Sequence, residues 1–326
     1  MKKIIILLLM VLTGCNFVLS QSGKIAYVSD NNKSGYYQVF VMNEDGTGKK
    51  QLTDMATDCY FPKWSPDGSK IVFNTEDGRI FYIADVNTDT PADPYYVFSG
   101  EHPSYDSDGE TIFFNSDYEG GLTIYAMAPG EPEPFMISYL NYSNQQRLSP
   151  DGSKIVFSAY YQSTKDIMLI DLEDTTENNL YQISSGDNAD LMPDISSDNY
   201  KIVWASFNNN LQGTIYLFDN GKEKAISKGI ESANKPRFSP DDRTIAFVSI
   251  SNTSVKLYTM DTEGNNKQSY DIQGGSVANF SWIDNERILY DAENGSNYEV
   301  GILNVKTGKS ELLTKSGSNM HPDFLK

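Results

Sequence analysis

His102 and His321 are the two histidines of the chain, and each stands directly before a proline, Pro103 and Pro322. Imidazoles brought to one place could ligate a metal or move a proton near neutral pH. The aligned positions elsewhere hold Phe61, Gln145, Met192 and Lys235. No third ligand joins the pair, and the ammonium of Lys235 would oppose a cation, so neither a metal nor a cofactor is expected. His102, His321, Lys235 and Gln145 are instead expected to line a channel mouth and to meet a ligand there. A second pattern is the recurrence of Asp67, Asp108, Asp151, Asp198, Asp241 and Asp284 at one repeat position. A site uses a few unequal positions, whereas a residue repeated in every unit answers a requirement of the fold. Each of these carboxylates is therefore read as capping its own turn. Cys59 has no histidine or other base beside it in sequence and is read as a small buried hydrophobe. No nucleophile elbow, Walker loop, dinucleotide fingerprint or zinc-protease helix is present. No catalytic residue is named, and a non-enzymatic protein is expected.

The elements that position these residues come from internal repetition. Pro62-Lys-Trp-Ser-Pro-Asp-Gly-Ser-Lys-Ile-Val-Phe73 returns, with changes, as residues 103–114, 146–157, 193–204 and 236–247, and in worn form at 282–290. The anchor aromatics Tyr27, Phe73, Phe114, Phe157, Trp204, Phe247 and Tyr290 lie 46, 41, 43, 47, 43 and 43 residues apart. Each unit reads as a short strand A, a Pro-Asp-Gly turn, a β-branched strand B, then strands C and D. Gln38–Met42, Ile167–Ile170 and Thr214–Phe218 read as C strands, with Lys50–Thr53 and Glu311–Thr314 as D strands. Four strands in about 43 residues is the unit of a β-propeller blade.

The ends complete the count. The first unit, from Lys24, lacks strand A, and the chain finishes on His321-Pro-Asp-Phe-Leu-Lys326, a strand A without its B. Pairing the two closes a ring of seven blades and leaves no sheet edge at the seam. The expected fold is all-β: one seven-bladed propeller over residues 23–326, with strand A innermost. The B–C hairpins share a face with the channel mouth and hold Tyr36, Tyr37, Tyr118, Tyr160 and Tyr161. Tyrosines on a rim stack and hydrogen-bond, so they join the candidate binding residues.

Charge and the N-terminus set the compartment. The chain carries a formal net charge of -18, which argues against a nucleic-acid partner, because phosphate binding needs a basic surface. A hydrophobic share of 39% is too high for a disordered chain. Lys2 and Lys3 precede the nine apolar residues Ile4–Leu12, a run too short to cross a bilayer core of about 30 Å. Residues 1–14 therefore read as an export signal. Leu12-Thr-Gly-Cys15 resembles a bacterial lipobox, which implies cleavage before Cys15, acylation of its thiol, and a tether over 15–22. The expected location is the periplasm or the outer membrane as a lipoprotein, the alternative being ordinary secretion with cleavage after Ser20.

The recurring Ser-Pro-Asp-Gly unit resembles the propeller repeat of TolB, a periplasmic component of the Tol–Pal envelope system, and of propellers fused to prolyl oligopeptidase and dipeptidyl peptidase enzymes. The resemblance covers residues 23–326. It implies a protein-binding platform in the cell envelope, with an envelope protein or peptide as partner and a glycan as the alternative partner. The membrane would be reached through the lipid on Cys15. Some propeller lyases that cleave oligogalacturonate hold a divalent metal with channel histidines, so the alternative function is a lyase-like carbohydrate-active enzyme built on His102 and His321.

Overall fold

The computed structural model describes residues 23–174, 179–252 and 254–325; the signal over 1–14, Cys15 and the tether to residue 22 lie outside them. Seven antiparallel four-stranded sheets are arranged as a propeller. The first blade is composite: the C-terminal strand Asn319–Leu325 pairs with Lys24–Ser29, which pairs with Gln38–Asn43 and then Lys50–Gln51. Blades 2 to 7 open with strands A at Cys59–Trp64, Glu101–Tyr105, Asn144–Leu148, Ala189–Ile195, Ala233–Phe238 and Val277–Trp282. Strands C and D fall near where the repeat places them, with C longer than read (Thr164–Asp171 in blade 4) and D shorter in blade 1 (Lys50–Gln51) and two residues earlier in blade 7 (Lys309–Leu312).

The B strands are the hydrophobic centre of each blade. Ile71–Thr75 and Ile112–Ser116 are buried throughout, because both faces pack against neighbouring sheets and water reaches neither. The anchor aromatics Tyr27, Phe73, Phe114, Phe157, Trp204, Phe247 and Tyr290 are all at most 2% exposed, and each large ring removed from water contributes about 2–3 kcal/mol. Cys59 is buried beside Thr53 and Met55, and burial pushes its thiol up to about 12, so it is inert as a nucleophile.

The A–B turns share one hydrogen-bond scheme. In blades 2, 4, 5 and 6 the Asp accepts from a serine hydroxyl two residues earlier, Ser65 to Asp67 at 2.6 Å and Ser149 to Asp151 at 2.6 Å, for example. The same carboxylates accept from the backbone N–H two residues later, as Ser69 to Asp67 at 3.0 Å. Asp108 and Asp284 accept from the N–H groups of Glu110 and Glu286 at 2.8 Å. These bonds hold the carboxyls of Asp67, Asp151 and Asp198 below the ordinary carboxylate range.

A β-bulge recurs in strand A. In six blades two residues of A face one residue of B, and that one residue is the anchor aromatic. Phe61 and Pro62, for instance, sit between the pairs Tyr60↔Asn74 and Lys63↔Val72, opposite Phe73. The first bulge residue is left-handed in all six, with φ from 51° at Phe61 to 59° at Met192. None is glycine, so each carries on the order of 1 kcal/mol of backbone strain. Proline follows in five of the six, where the extra residue has no ladder partner and a missing N–H costs nothing. Blade 7, whose repeat is worn, instead shifts register between Val277 and Asn279.

Candidate binding site in the central channel

The bulge places the chemistry. Its first residues are Phe61, His102, Gln145, Met192, Lys235 and His321, and all six line one central cavity of about 990 Å³ to which every blade contributes. The sequence reading set His102 and His321 just before strand A. They lie within it, in Glu101–Tyr105 and Asn319–Leu325, because the bulge interrupts the alternation that would have marked the strand's true start.

The two histidines do not converge on a common point. Phe61 lies between them, its ring centroid 4.0 Å from that of His321 and 4.5 Å from that of His102. Burial, with Lys63, His102 and Lys235 adding to it, pushes the His321 imidazole down to about 4, and burial lowers His102 as well. Both rings are therefore neutral near pH 7. Lys235 turns aside and donates from Nζ to the Ala278 carbonyl at 2.6 Å. Gln145 bridges blades, its Oε1 accepting from Met192 N at 2.9 Å and Ser158 Oγ at 3.3 Å. Asp291, fully buried, accepts from His321 N at 2.7 Å and from Asn279 N at 2.5 Å. The mouth is a set of blade-to-blade bonds. Among the described residues there is no group of three or more His, Cys, Asp or Glu arranged to hold a metal ion.

Two residues further along strand A lies a charged level that the sequence reading missed. Lys63, Arg147, Asp194, Arg237 and Asp323 line the same cavity there. Asp323 accepts from Lys63 Nζ at 2.6 Å and from Trp64 N at 3.0 Å. Asp194 repeats the device, accepting from Phe238 N at 2.8 Å beside Arg237. Burial, and then the charge of Arg147, push the Arg237 guanidinium down to about 9 while Asp194 opposes them. The signal was present in the sequence as an often charged position just after the proline of the unit, or after Gln146 where the proline is replaced.

The rim tyrosines divide. Tyr36, Tyr118 and Tyr160 are exposed, whereas Tyr37 packs against Tyr60 and Tyr161 against the core between blades 3 and 4. Tyr139, 84% exposed, and Tyr142 stand on the crossing from blade 3 to blade 4; neither was named from sequence, because the crossing lies between repeat units. That crossing is tied to its neighbours. Tyr160 N donates to Asn141 O at 3.1 Å, and Tyr142 meets the Tyr160 ring edge-on at 5.6 Å. Lys165 Nζ sits 5.8 Å over the Tyr160 ring and donates to Asn144 Oδ1 at 3.3 Å. Tyr139, Tyr142 and Tyr160 thus form an exposed tyrosine shelf on the rim at blade 4, and Lys165 connects Tyr160 to Asn144, which lines the cavity.

The family model described as the TolB beta propeller domain matches residues 20–219. Dipeptidyl-peptidase 5 of Porphyromonas gingivalis is 22% identical, over 88% of this chain and 45% of its own length. Among solved structures, TolB from Acinetobacter baumannii is similar with a TM-score of 0.56 and 17% identity, covering 93% of this chain and 66% of that one. A puromycin-hydrolysing peptidase of Mycobacterium tuberculosis is similar with a TM-score of 0.69 and 14% identity, covering 90% of this chain and 52% of its own. The chain spans about half the length of these two peptidases. The lack of a nucleophile motif pointed to a non-enzymatic protein, yet proteins named as peptidases share this propeller over nearly all of the present chain. A propeller is a scaffold on which both hydrolases and TolB are built, so neither the fold nor a missing elbow separates this chain from hydrolases.

Proposed function

This chain belongs to the TolB beta propeller family, and on that footing we propose that it is an exported, lipid-anchored envelope protein whose channel face binds a protein or peptide. The observation that carries this reading is the asymmetry of that face. The A–B turns repeat one scheme blade after blade, whereas the mouth and shelf carry different side chains in each blade. Repetition serves the fold, and inequality serves recognition. The shelf of Tyr139, Tyr142 and Tyr160 offers rigid amphipathic rings on the rim of the blade whose Asn144 lines the cavity, a combination that peptide contacts use. Gly23, the first described residue, stands beside Asp284 and Asn285 of an A–B turn, so an acylated Cys15 would hold that face toward the membrane and leave the channel face turned away from it. The test is a photocrosslinking amino acid placed for Tyr139 on the channel face and for Tyr200 in the turn between strands A and B of blade 5. In intact cells the first should yield a protein adduct of one defined mass and the second none. Equal labelling from both, or labelling from neither, would refute the assignment of the face.

A further inference from the structure

We propose that Arg147 is the recognition cation for a carboxylate carried by a peptide that lies on the tyrosine shelf and enters the channel at blade 4. The inference deepens the peptide-binding reading above and rests on it.

It follows from accounting for every cation in the channel. Lys63 is paired with Asp323 at 2.6 Å. Lys235 is committed to the Ala278 carbonyl. Arg237 donates from its terminal nitrogen to Pro236 O at 2.6 Å and Pro193 O at 3.3 Å, and faces Asp194. Asp194 is itself engaged by Phe238 N. The Arg147 side chain lines the same cavity with no hydrogen bond or ion pair among the described residues, its charge felt by Asp194, Arg237 and His102. Two guanidiniums thus share one carboxylate. A planar guanidinium accepts a second carboxylate in a two-pronged pair, which a lysine does less well.

A second, independent observation comes from the neighbouring blade. Tyr105 and Asn115, 8% and 2% exposed, line the cavity, as does Gln146. The Tyr105 hydroxyl, Asn115 Oδ1 and Gln146 Oε1 are buried without a hydrogen-bond partner, a costly condition unless a ligand meets them. The Tyr105 ring packs toward blade 2, with Tyr82 and Asp67 near its hydroxyl, so the acceptors on the side of Arg147 are the two amide oxygens. The two amide oxygens ask for N–H donors, which a peptide main chain supplies alongside its carboxylate. The tyrosines of the shelf then receive the remainder of the peptide.

The test uses the full chain, immobilised in detergent, with two probes. One is a pool of hexapeptides bearing Asp or Glu and a free C-terminus. The other is the same pool amidated, with Asn and Gln in place of the acids. Mass spectrometry of retained peptides should show the acidic pool held over the neutral one. Arg147→Gln should lower that retention about tenfold or more, and Arg147→Lys should hold an intermediate amount. Gln146→Met, which removes the unpartnered acceptor next to Arg147, should weaken it several-fold and covers the case in which Arg147→Gln does not fold. Equal retention of both pools, no retention of either, or retention untouched by Arg147→Gln overturns the proposal. So does binding of trigalacturonate, with no peptide, lost in Arg147→Gln. Adducts at the Tyr139 position that persist in Arg147→Gln would leave the channel-face reading standing while this one falls.

Discussion

The rings of Phe61 and His321 stack at a centroid separation of 4.0 Å with their planes 25° apart. Both are first residues of a bulge, one in blade 2 and one in the composite blade, so the contact spans the seam of the ring. A protonated imidazole in that place would sit desolvated near Lys63 and Lys235, which is why its pKa is driven from 6.5 down to about 4.

The pH dependence follows from that depression. Between about pH 6.5 and 4 the unfolded chain takes up a proton at His321 and the native chain does not, so stability falls as pH drops through this window and is fully present above it. We expect a lower melting temperature at pH 5 than at pH 7, with a smaller difference in His321→Gln. Equal acid sensitivity in the two proteins would show that His321 is not the group concerned.

Ring closure gives a second prediction. The closing strand ends in Leu325, which is 4% exposed, and a Cβ added at Gly68 of blade 2 would lie 2.4 Å from its Cδ2. Gly68 also has φ +70°. Gly78, at φ +71°, has nothing within 4 Å of such a Cβ, so it shares the backbone strain but not the collision. Gly68→Ala should therefore destabilise more than Gly78→Ala, by about 1–2 kcal/mol in denaturant titrations. Removing residues 319–326 altogether should lower the melting temperature further and cause aggregation, because the strand Lys24–Ser29 is left as a bare edge. A truncated chain that stays monomeric with unchanged melting would contradict closure by this strand.

Anchoring is tested at the N-terminus. Cys15→Ser should move the protein from the membrane to the soluble fraction, and wild-type protein should carry a mass increment for its acyl chains. Wild-type protein that is already soluble and begins at Gln21 would establish ordinary secretion.

The ring of seven was legible because a repeat near 43 residues is a one-dimensional signal, and the incomplete first and last units named their own partner. The bulge was not. A left-handed Phe, His or Lys before a proline departs from local preference, and only pairing on both sides, Tyr60↔Asn74 and Lys63↔Val72, defines it. Arg147, Asp194 and Arg237 were visible as residues, but their neighbourhood exists only once separate blades are brought around an axis. Tyr139 and Tyr142 lie in a crossing between units, where self-alignment offers nothing to compare.

Because the first bulge residue stands outside the ladder, exchanging its side chain leaves the pairing of the blade intact. Phe61, His102, Gln145, Met192, Lys235 and His321 thus occupy six interchangeable sockets on one frame. Selection can rewrite the mouth one blade at a time while the scaffold is conserved, so relatives with the same propeller can diverge in what they recognise without passing through an unfolded ancestor.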